Sequence, residues 1–179
     1  FDVTAGATVS LINGASSENV FWVAEGAIGI GATTNIPGTI FSNAGAIAVG
    51  DGCTVSGRLL SKTGALSFGA GPLSIPTNPS SHVDLRSLAP FVMFTGSGGV
   101  ANSGASTYTG DIGTNLGAIT GFGGATVNGT IFQAGATTVV TPINHTATFS
   151  FYLNGILIPN SVRTLLSPGV VSLHCITTI

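Results

Sequence analysis

The sequence predicts an all-β protein built as a β-solenoid (β-helix), in which coils of short strands stack along one axis. Three observations carry this prediction. A motif of the form G-A-(I/L)-x-(I/V/F)-G recurs at a fixed step, starting at Gly26, Gly45 and Gly64; apolar and small residues alternate within each copy; and glycines flank it. Fixed periods of about 20 to 50 residues are typical of repeat architectures. One coil should therefore take about 19 residues, close to the lower end of that range, and no long helix is expected.

The period places apolar residues in columns along the stack. The first column is predicted to contain Val9, Ile28, Ile47 and Leu66, and the second Leu11, Ile30, Val49 and Phe68. A further track keeps the same step, with Phe21, Ile40 and Leu59 in one column and Trp22, Phe41 and Leu60 in the next. At least two strands are therefore expected in each coil.

Strand geometry assigns these residues to the two sides of the solenoid wall. Successive side chains of a strand point to opposite sides, so Ile28 and Ile30 should face the interior while Ala27 and Gly29 face outward. Glycines stand where the chain must turn a corner. Fully burying one Ile or Leu contributes about 1.5 to 3 kcal/mol, so a coil depends on neighbours that cover it on both sides.

The pattern divides the chain into four segments. Residues 1–75 hold regular coils, whereas residues 76–90 contain three prolines and break the period as a linker or crossing loop. Residues 91–136 resume the coils, because Gly110-Asp111-Ile112 and Gly129-Thr130-Ile131 are again separated by the same step. Residues 137–179 are expected to form an antiparallel β segment with a hairpin turn at Asn154-Gly155.

Composition excludes several classes of function. The 179 residues are 6% charged with a net charge of −2, and the four basic residues are scattered, so nucleic acid is not an expected partner. No apolar run is long enough for a membrane helix, so no membrane insertion is expected. The charge-poor composition favours an extracellular location, secreted or on the cell surface. A start at Phe1, without Met or a signal segment, indicates a processed or excerpted product.

Groups able to do chemistry are sparse. The histidines His82, His145 and His174 stand apart from any patterned carboxylate, and no nucleophile motif or paired metal-ligand motif is present in the sequence. We therefore predict that the chain is not an enzyme, needs no cofactor and has no metal site.

Two pairs of residues leave alternatives open. Asp51 and Asp111 lie in glycine-flanked corners, where a turn-forming role is the ordinary explanation and calcium binding the alternative. Cys53 and Cys175 fit buried free thiols, a disulfide in an oxidising compartment, or metal ligation.

Several stretches resemble a known family. "VSLINGASSENVFWVAEGAIGIGATTNIPGTI" followed by "VSGRLLSKTGALSF" resembles the C-terminal half of the microbial ice-binding protein family, and "INGASSENVFW" is the most specific part. "LAPFVMFTGSGGVANSGASTYTGDIGTNLGAITGF" resembles the N-terminal half of that family. The resemblance implies a discontinuous right-handed β-solenoid and a capacity to bind ice.

The chain also departs from that family. The two halves occur in reverse order, as in a chain cut from a tandem protein or permuted, and the long helix that lies against one face of the family's solenoid is missing. The C-terminal segment resembles part of a small antiparallel β-sandwich found on exported bacterial proteins.

Small residues are predicted to form a flat strip on the outside of the solenoid. One row would contain Thr8, Ala27, Ala46 and Ala65, and the next Ser10, Gly29, Ala48 and Ser67. Such a strip permits tight packing of the coils, the approach of another copy, or the ordering of water as in ice. A second outward row, formed by Trp22, Phe41 and Leu60, is a candidate apolar interface unless a corner turns it inward.

These features favour a non-catalytic, extracellular structural protein. Open solenoid ends and strand edges are templates for another chain, so copies of the protein are expected to assemble head-to-tail into a filament. The alternative is an ice-binding protein that adsorbs through the flat strip, with ice as its partner.

Overall fold

The computed structural model describes residues 1–77 and 83–133, together with the backbone of Tyr152–Leu153 and Ile156–Leu157. It is an all-β solenoid of about six coils with about 19 residues per coil, and it confirms the fold class expected from the sequence. Helical structure in these residues is limited to the 3-10 turns Ser17–Asn19, Arg86–Leu88 and Phe122–Gly124. No helix in the described ranges is long and apolar enough to cross a membrane.

Each coil passes over three faces, and every face is a ladder of parallel strands. The first face consists of β1 (Asp2–Val3), β3 (Ile28–Ile30), β5 (Ile47–Val49), β7 (Leu66–Phe68), β10 (Val100–Asn102) and β13 (Ile119–Thr120). The second face consists of the first halves of β4 (Asn35–Ser42) and β6 (Thr54–Ser61), then β8 (Gly71–Ser74), β11 (Ser106–Thr109) and β14 (Thr126–Asn128). The third face consists of β2 (Phe21–Ala24), the second halves of β4 and β6, and then β9 (Phe91–Thr95), β12 (Asp111–Thr114) and β15 (Ile131–Phe132).

The coils stack in chain order across the proline-rich break. On the first face Ile47 pairs with Leu66, which lies one ordinary step further along the chain, whereas Leu66 pairs with Val100, which lies almost two steps further along. The additional length corresponds to segment 76–90, which leaves the wall after β8 and returns at β9. Residues 91–133 therefore continue the stack begun by residues 1–75, and the insertion adds no coil.

The first coil differs from the sequence-based alignment. Asp2 pairs with Gly29 and Val3 with Ile30, while Thr8 bridges to Asn35 on the second face. The alignment of Val9 with Ile28 was therefore wrong. The physical reason is that first-face and second-face strands share one pattern, a buried apolar residue between two small ones, and Thr8-Val9-Ser10 is identical to the second-face stretch Thr54-Val55-Ser56.

The third-face register also differs in the first coil. Trp22 pairs with Ile40 and Val23 with Phe41, so Trp22 does not share a column with Phe41. A second insertion, residues 11–20, separates the second and third faces of this coil. The register shift itself arises after β2, because the corner from Ala24 to Ile28 is one residue shorter than the corresponding corner from Ser42 to Ile47. Trp22 is partly buried against the core, stacks on Phe1 and donates from its indole nitrogen to the carbonyl of Pro37 at 2.8 Å.

The interior is a continuous column of apolar side chains. The bulkiest buried members include Ile36, Ile47, Leu59, Leu66, Phe68 and Tyr108. A polar cluster interrupts the column in the fifth coil, where Asn102 Oδ1 accepts hydrogen bonds from Tyr108 Oη and Ser106 Oγ, each at 2.8 Å. The interior thus tolerates these polar groups because their hydrogen bonds are made inside the stack.

The corner between the third and first faces is closed by a column of buried hydroxyl groups. Ser42, Ser61, Thr95 and Thr114 stand in register in successive coils. The hydroxyl of Ser61 donates to the carbonyl of Gly45 at 3.1 Å and accepts the amide of Gly64 at 2.8 Å. Each hydroxyl therefore ties its own corner to the coil beneath it.

The corner between the second and third faces depends on glycine. A Cβ at Gly57 would overlap the backbone carbonyl oxygen of Gly38 in the neighbouring coil, and Gly38 itself has φ of 109°. In the C-terminal segment, β16 (Tyr152–Leu153) pairs antiparallel with β17 (Ile156–Leu157), as the hairpin prediction requires. The remainder of the predicted segment 137–179 lies outside the described residues.

Candidate functional site

The strip predicted from small residues lies largely on the first face. Its members there point outward, and all but the half-buried Gly29 are exposed: Ala27, Gly29, Ala46, Ala48, Ala65 and Ser67. Asp2 takes the place in the first coil that Ser10 was expected to fill, and Ala101 and Thr120 extend the row. This surface is flat and consists mainly of methyl groups and backbone.

Thr8 and Ser10 are on a different surface from the rest of the predicted strip. Both follow the first-face strand and lie on the second face, where Thr8 is paired with Asn35. The structure therefore divides the eight predicted residues between two faces.

The second face carries a regular exposed column that sequence analysis missed. Its six members stand in successive coils and are all exposed: Thr8, Asn35, Thr54, Pro72, Thr107 and Thr126. The sequence signal is the stretch T-x-(T/S/N), at residues 8–10, 54–56, 107–109 and 126–128. It could have been found by aligning these stretches with one another rather than with the glycine-flanked motif.

A second outward column runs beside the first. It contains Pro37, Ser56, Ser74, Thr109 and Asn128, of which Pro37 is buried, the two serines are half-buried and the last two are exposed. Neighbours lie roughly 4.8 Å apart from coil to coil and roughly 6.6 Å apart along a strand. The second face thus presents hydroxyl, amide and methyl groups on a two-dimensional lattice.

The lattice of the second face is held rigidly from behind. Between the two outward columns, Val55, Leu73 and Tyr108 point inward and are at most 1% exposed. Threonine adds stiffness of its own, because its β-branch restricts rotation about χ1.

The third face contains the predicted apolar row, with Val23 in the place of Trp22 and with Phe94 continuing the row beyond Leu60. Val23, Phe41, Leu60 and Phe94 stand in register on its outside, and Phe132 follows after Gly113. Leu60 is only 3% exposed, because it forms a buried cluster with Phe91 and Phe94 against which Leu88 of the insertion 76–90 packs. We call the outward set Phe41, Leu60, Phe94 and Phe132 the outer apolar row.

Arg58 connects the third face to the insertion 76–90. Its Nη2 donates to the carbonyl of Ala89 at 3.0 Å, whereas its Nε is buried without a hydrogen-bond partner among the described residues. Burial lowers the pKa of the Arg58 guanidinium, and the negative charge of Glu18 acts in the opposite direction. Because Glu18 belongs to the first insertion, the two insertions come close to the same arginine.

Asp51, Asp111 and Cys53, for which the sequence left more than one role open, all form hydrogen bonds to backbone groups of a neighbouring coil. Asp51 Oδ1 accepts the amide of Ala70 at 3.2 Å, and Asp111 Oδ1 accepts the amide of Thr130 at 2.9 Å, so each carboxylate bonds the next coil. Cys53 is a buried free thiol that donates to the carbonyl of Gly31 at 3.1 Å. Cys175 and the three histidines lie outside the described residues.

Within residues 1–77 and 83–133, no group of His, Cys, Asp and Glu side chains is arranged to hold a metal ion. The candidate binding surfaces in this part of the chain are the first-face strip, the second-face lattice and the outer apolar row.

Comparison with known proteins gives one match. The search of curated proteins and the search of solved structures returned no match to the chain. Residues 1–71, which build the first three coils and the start of the fourth, match the family model described as ice-binding-like.

Proposed function

We propose that this protein binds ice through its second face. The single observation that supports the proposal is the exposed outward column of the second face, in which Thr8, Thr54, Thr107 and Thr126 stand in register over the length of the stack. The ice-binding-like match over residues 1–71 supports it, because that stretch builds the first half of the lattice. That family is not enzymatic.

The chemistry of the second face suits a surface of ordered water. Each threonine places a methyl group, around which water forms ordered cages, beside a hydroxyl that can hold a water molecule by a hydrogen bond. The wall is rigid, so water arranged on it keeps fixed spacings set by the strands. No Lys, Arg, Asp or Glu belongs to the two columns, so no long charged side chain interrupts the lattice.

The first face suits this role less well. Its outward residues are mainly alanine and glycine, which supply methyl groups and backbone but few hydroxyls. A strip of that kind is better suited to close packing against another protein surface.

A pair of matched variants tests the ice-binding proposal. Thr107→Arg places a long charged side chain at an exposed position of the lattice, and we expect it to reduce thermal hysteresis and ice shaping to the level of buffer. Ala48→Arg makes the same change on the first face and should leave both unchanged. Exposed substitutions of this kind typically alter stability by at most about 0.5 kcal/mol, so both variants should stay folded. Unshaped ice in the presence of the unaltered protein would refute the proposal.

Head-to-tail assembly is the second candidate, favoured by the strands at the ends of the stack. Among the described residues, β1 and β2 pair on one side only at one end, as do β13, β14 and β15 at the other. Both ends present the three faces in the same order and direction, so the last coil of one copy can pair with the first coil of the next. Such an interface would also continue the second-face lattice from Thr126 to Thr8 of the next copy.

Electron microscopy and sedimentation separate the two candidates. For assembly, we expect filaments at micromolar concentration that are lost in Val127→Pro. The backbone N–H of Val9 donates to Asn35 in the next coil, and the N–H of Val127, in the same column, points to the open edge of β14, where proline removes this donor. Val127→Ile is the matched control and should still assemble. Replacing Ala46 and Ala65 by Arg tests lateral packing of the first face in the same assay. Discrete monomers of the unaltered chain would contradict assembly without affecting the ice-binding proposal.

We also place the protein outside the cell, as secreted or attached to the surface. Two observations support this location: only 6% of the residues are charged, and both proposed partners, ice and a filament of further copies, would be found outside the cell.

A further inference from the structure

Exposure is uneven along the two outward columns of the second face. In the second coil Pro37 is buried, and in the third and fourth coils Ser56 and Ser74 are half-buried. The first coil exposes both Thr8 and Ser10, but the coil beside it is the one that buries Pro37. Among the described coils, only the last two form a neighbouring pair with both outward residues exposed. These residues are Thr107, Thr109, Thr126 and Asn128, which we call the distal block.

Pro72 separates the distal block from the threonines of the earlier coils. It occupies the exposed column between Thr54 and Thr107, and its ring offers water neither a hydrogen-bond donor nor an acceptor. Its position also lacks a backbone donor. The amides of Asn35 and Thr54, in the same column, each donate to the preceding coil at 2.9 Å, whereas proline has no N–H. Thr54 and Thr107 are therefore two coils apart, roughly 9.6 Å, with no hydroxyl between them in this column.

The distal block is anchored from the interior by a polar contact. Tyr108 points inward from β11 (Ser106–Thr109), which contributes two residues of the block, and its buried hydroxyl donates to Asn102 Oδ1 at 2.8 Å. At the same inward position the third and fourth coils have Val55 and Leu73, whose side chains contain no polar group. A hydrogen bond is directional, so it fixes where β11 lies in the wall and keeps the spacing of its outward side chains.

The surface of an ice crystal repeats in two directions, so a site that binds it must hold water at fixed spacings in both. A single exposed column fixes only the spacing from coil to coil, roughly 4.8 Å, whereas two exposed columns also fix the spacing along the strand, roughly 6.6 Å. The distal block has both spacings, and its threonine and asparagine side chains supply methyl, hydroxyl and amide groups. It lies beyond residues 1–71, the stretch that matches the ice-binding-like family.

We propose that the distal block is the principal ice-binding part of the second face, and that Pro72 sets its boundary. The inference rests on the proposed ice-binding function and specifies where along the stack ice is held. Thr8 and Thr54 then belong to a single exposed row that adds to binding but is not sufficient for it.

Two matched variants at opposite ends of the exposed column test the position of the site. Thr126→Arg changes the distal block, and Thr8→Arg makes the same change five coils away, roughly 24 Å, which is beyond the reach of an arginine side chain. We expect Thr126→Arg to reduce thermal hysteresis to the level of buffer and Thr8→Arg to reduce it only in part. Equal loss in the two variants, or the greater loss in Thr8→Arg, would overturn this proposal and leave ice binding by the second face intact. Full hysteresis in both variants would overturn both proposals.

Substitution of Pro72 tests the boundary of the block. Pro72→Thr places a methyl group and a hydroxyl beside Thr107 and extends the block by one coil, so thermal hysteresis at equal protein concentration should rise. Pro72→Ala restores the same backbone donor without a hydroxyl and is the matched control, so the hysteresis of Pro72→Thr should exceed that of Pro72→Ala. Equal hysteresis in the two variants would show that Pro72 does not limit the site. Circular dichroism checks that both variants are folded, and the arginine pair tests the position of the site without any change at Pro72.

Discussion

The corner hydroxyl of Ser61 gives a quantitative test of how the coils are held together. Ser61→Ala removes one hydrogen bond donated to Gly45 and one accepted from the amide of Gly64. A hydrogen bond contributes a net 0.5 to 1.5 kcal/mol, about 1 on average, so the loss should be about 2 kcal/mol. For a domain of this size each kcal/mol lowers Tm by about 2 to 4 °C. Thermal unfolding followed by circular dichroism should therefore show Tm lower by about 4 to 8 °C.

Two control substitutions show whether the loss of stability comes from the buried corner hydroxyl: one removes an exposed hydroxyl, and the other keeps the hydroxyl at position 61. Ser67→Ala removes a hydroxyl from an exposed first-face position and should change the free energy of unfolding by less than about 0.5 kcal/mol. Ser61→Thr should preserve stability, because Thr95 in the next coil makes the equivalent bond to Gly64 at 2.7 Å. If Ser61→Ala has the same Tm as the unaltered protein, or if Ser67→Ala lowers Tm by as much as Ser61→Ala does, the corner hydroxyls do not stabilise the stack as argued.

Two other predictions concern a corner and the interior. Gly57→Ala should cost about 2 to 4 kcal/mol in chemical denaturation, because its methyl group meets backbone that cannot move aside, whereas Gly26→Ala, which faces open space, should be nearly neutral. Burial raises the pKa of Tyr108 to about 12 from its ordinary 10.0, so the stability that this neutral phenol contributes is present below pH 10 and is lost as pH rises towards 12. Tyr108→Phe should lack that fall in the free energy of unfolding, and an identical pH profile would show that Tyr108 is not its source.

The sequence was sufficient for the repeating part of the fold. The alternation around Ile28, Ile47 and Leu66 assigns inward and outward sides because strand side chains alternate strictly, and the structure buries these three residues as expected. The fixed step of the repeat also predicted the pairing of β12 with the last coil, where Ile112 lies beside Ile131. The period alone did not reveal that each coil has three faces.

The functional surfaces were predicted less completely. Leu60 was expected in an outward row and does lie outward, yet it is buried, because a residue distant in sequence, Leu88, packs over it. The second-face lattice was missed because Thr8-Val9-Ser10 was placed in the first-face column. A local pattern of small and apolar residues is the same for both faces, so it cannot tell them apart.

By itself, the sequence determined the fold class, the length of a coil, the inward columns from the second coil onward and the glycines at the corners, since these depend on local strand geometry and on burial that repeats at a fixed step. Only the tertiary structure decided that the coils continue in one stack across segment 76–90, which residues share an outward column on the second face, and what covers the middle of the third face. Those features depend on how the strands of neighbouring coils pair on either side of an inserted segment. An insertion changes the number of residues between two paired strands, so the fixed step of the repeat no longer predicts the partner, although the same backbone groups can still pair.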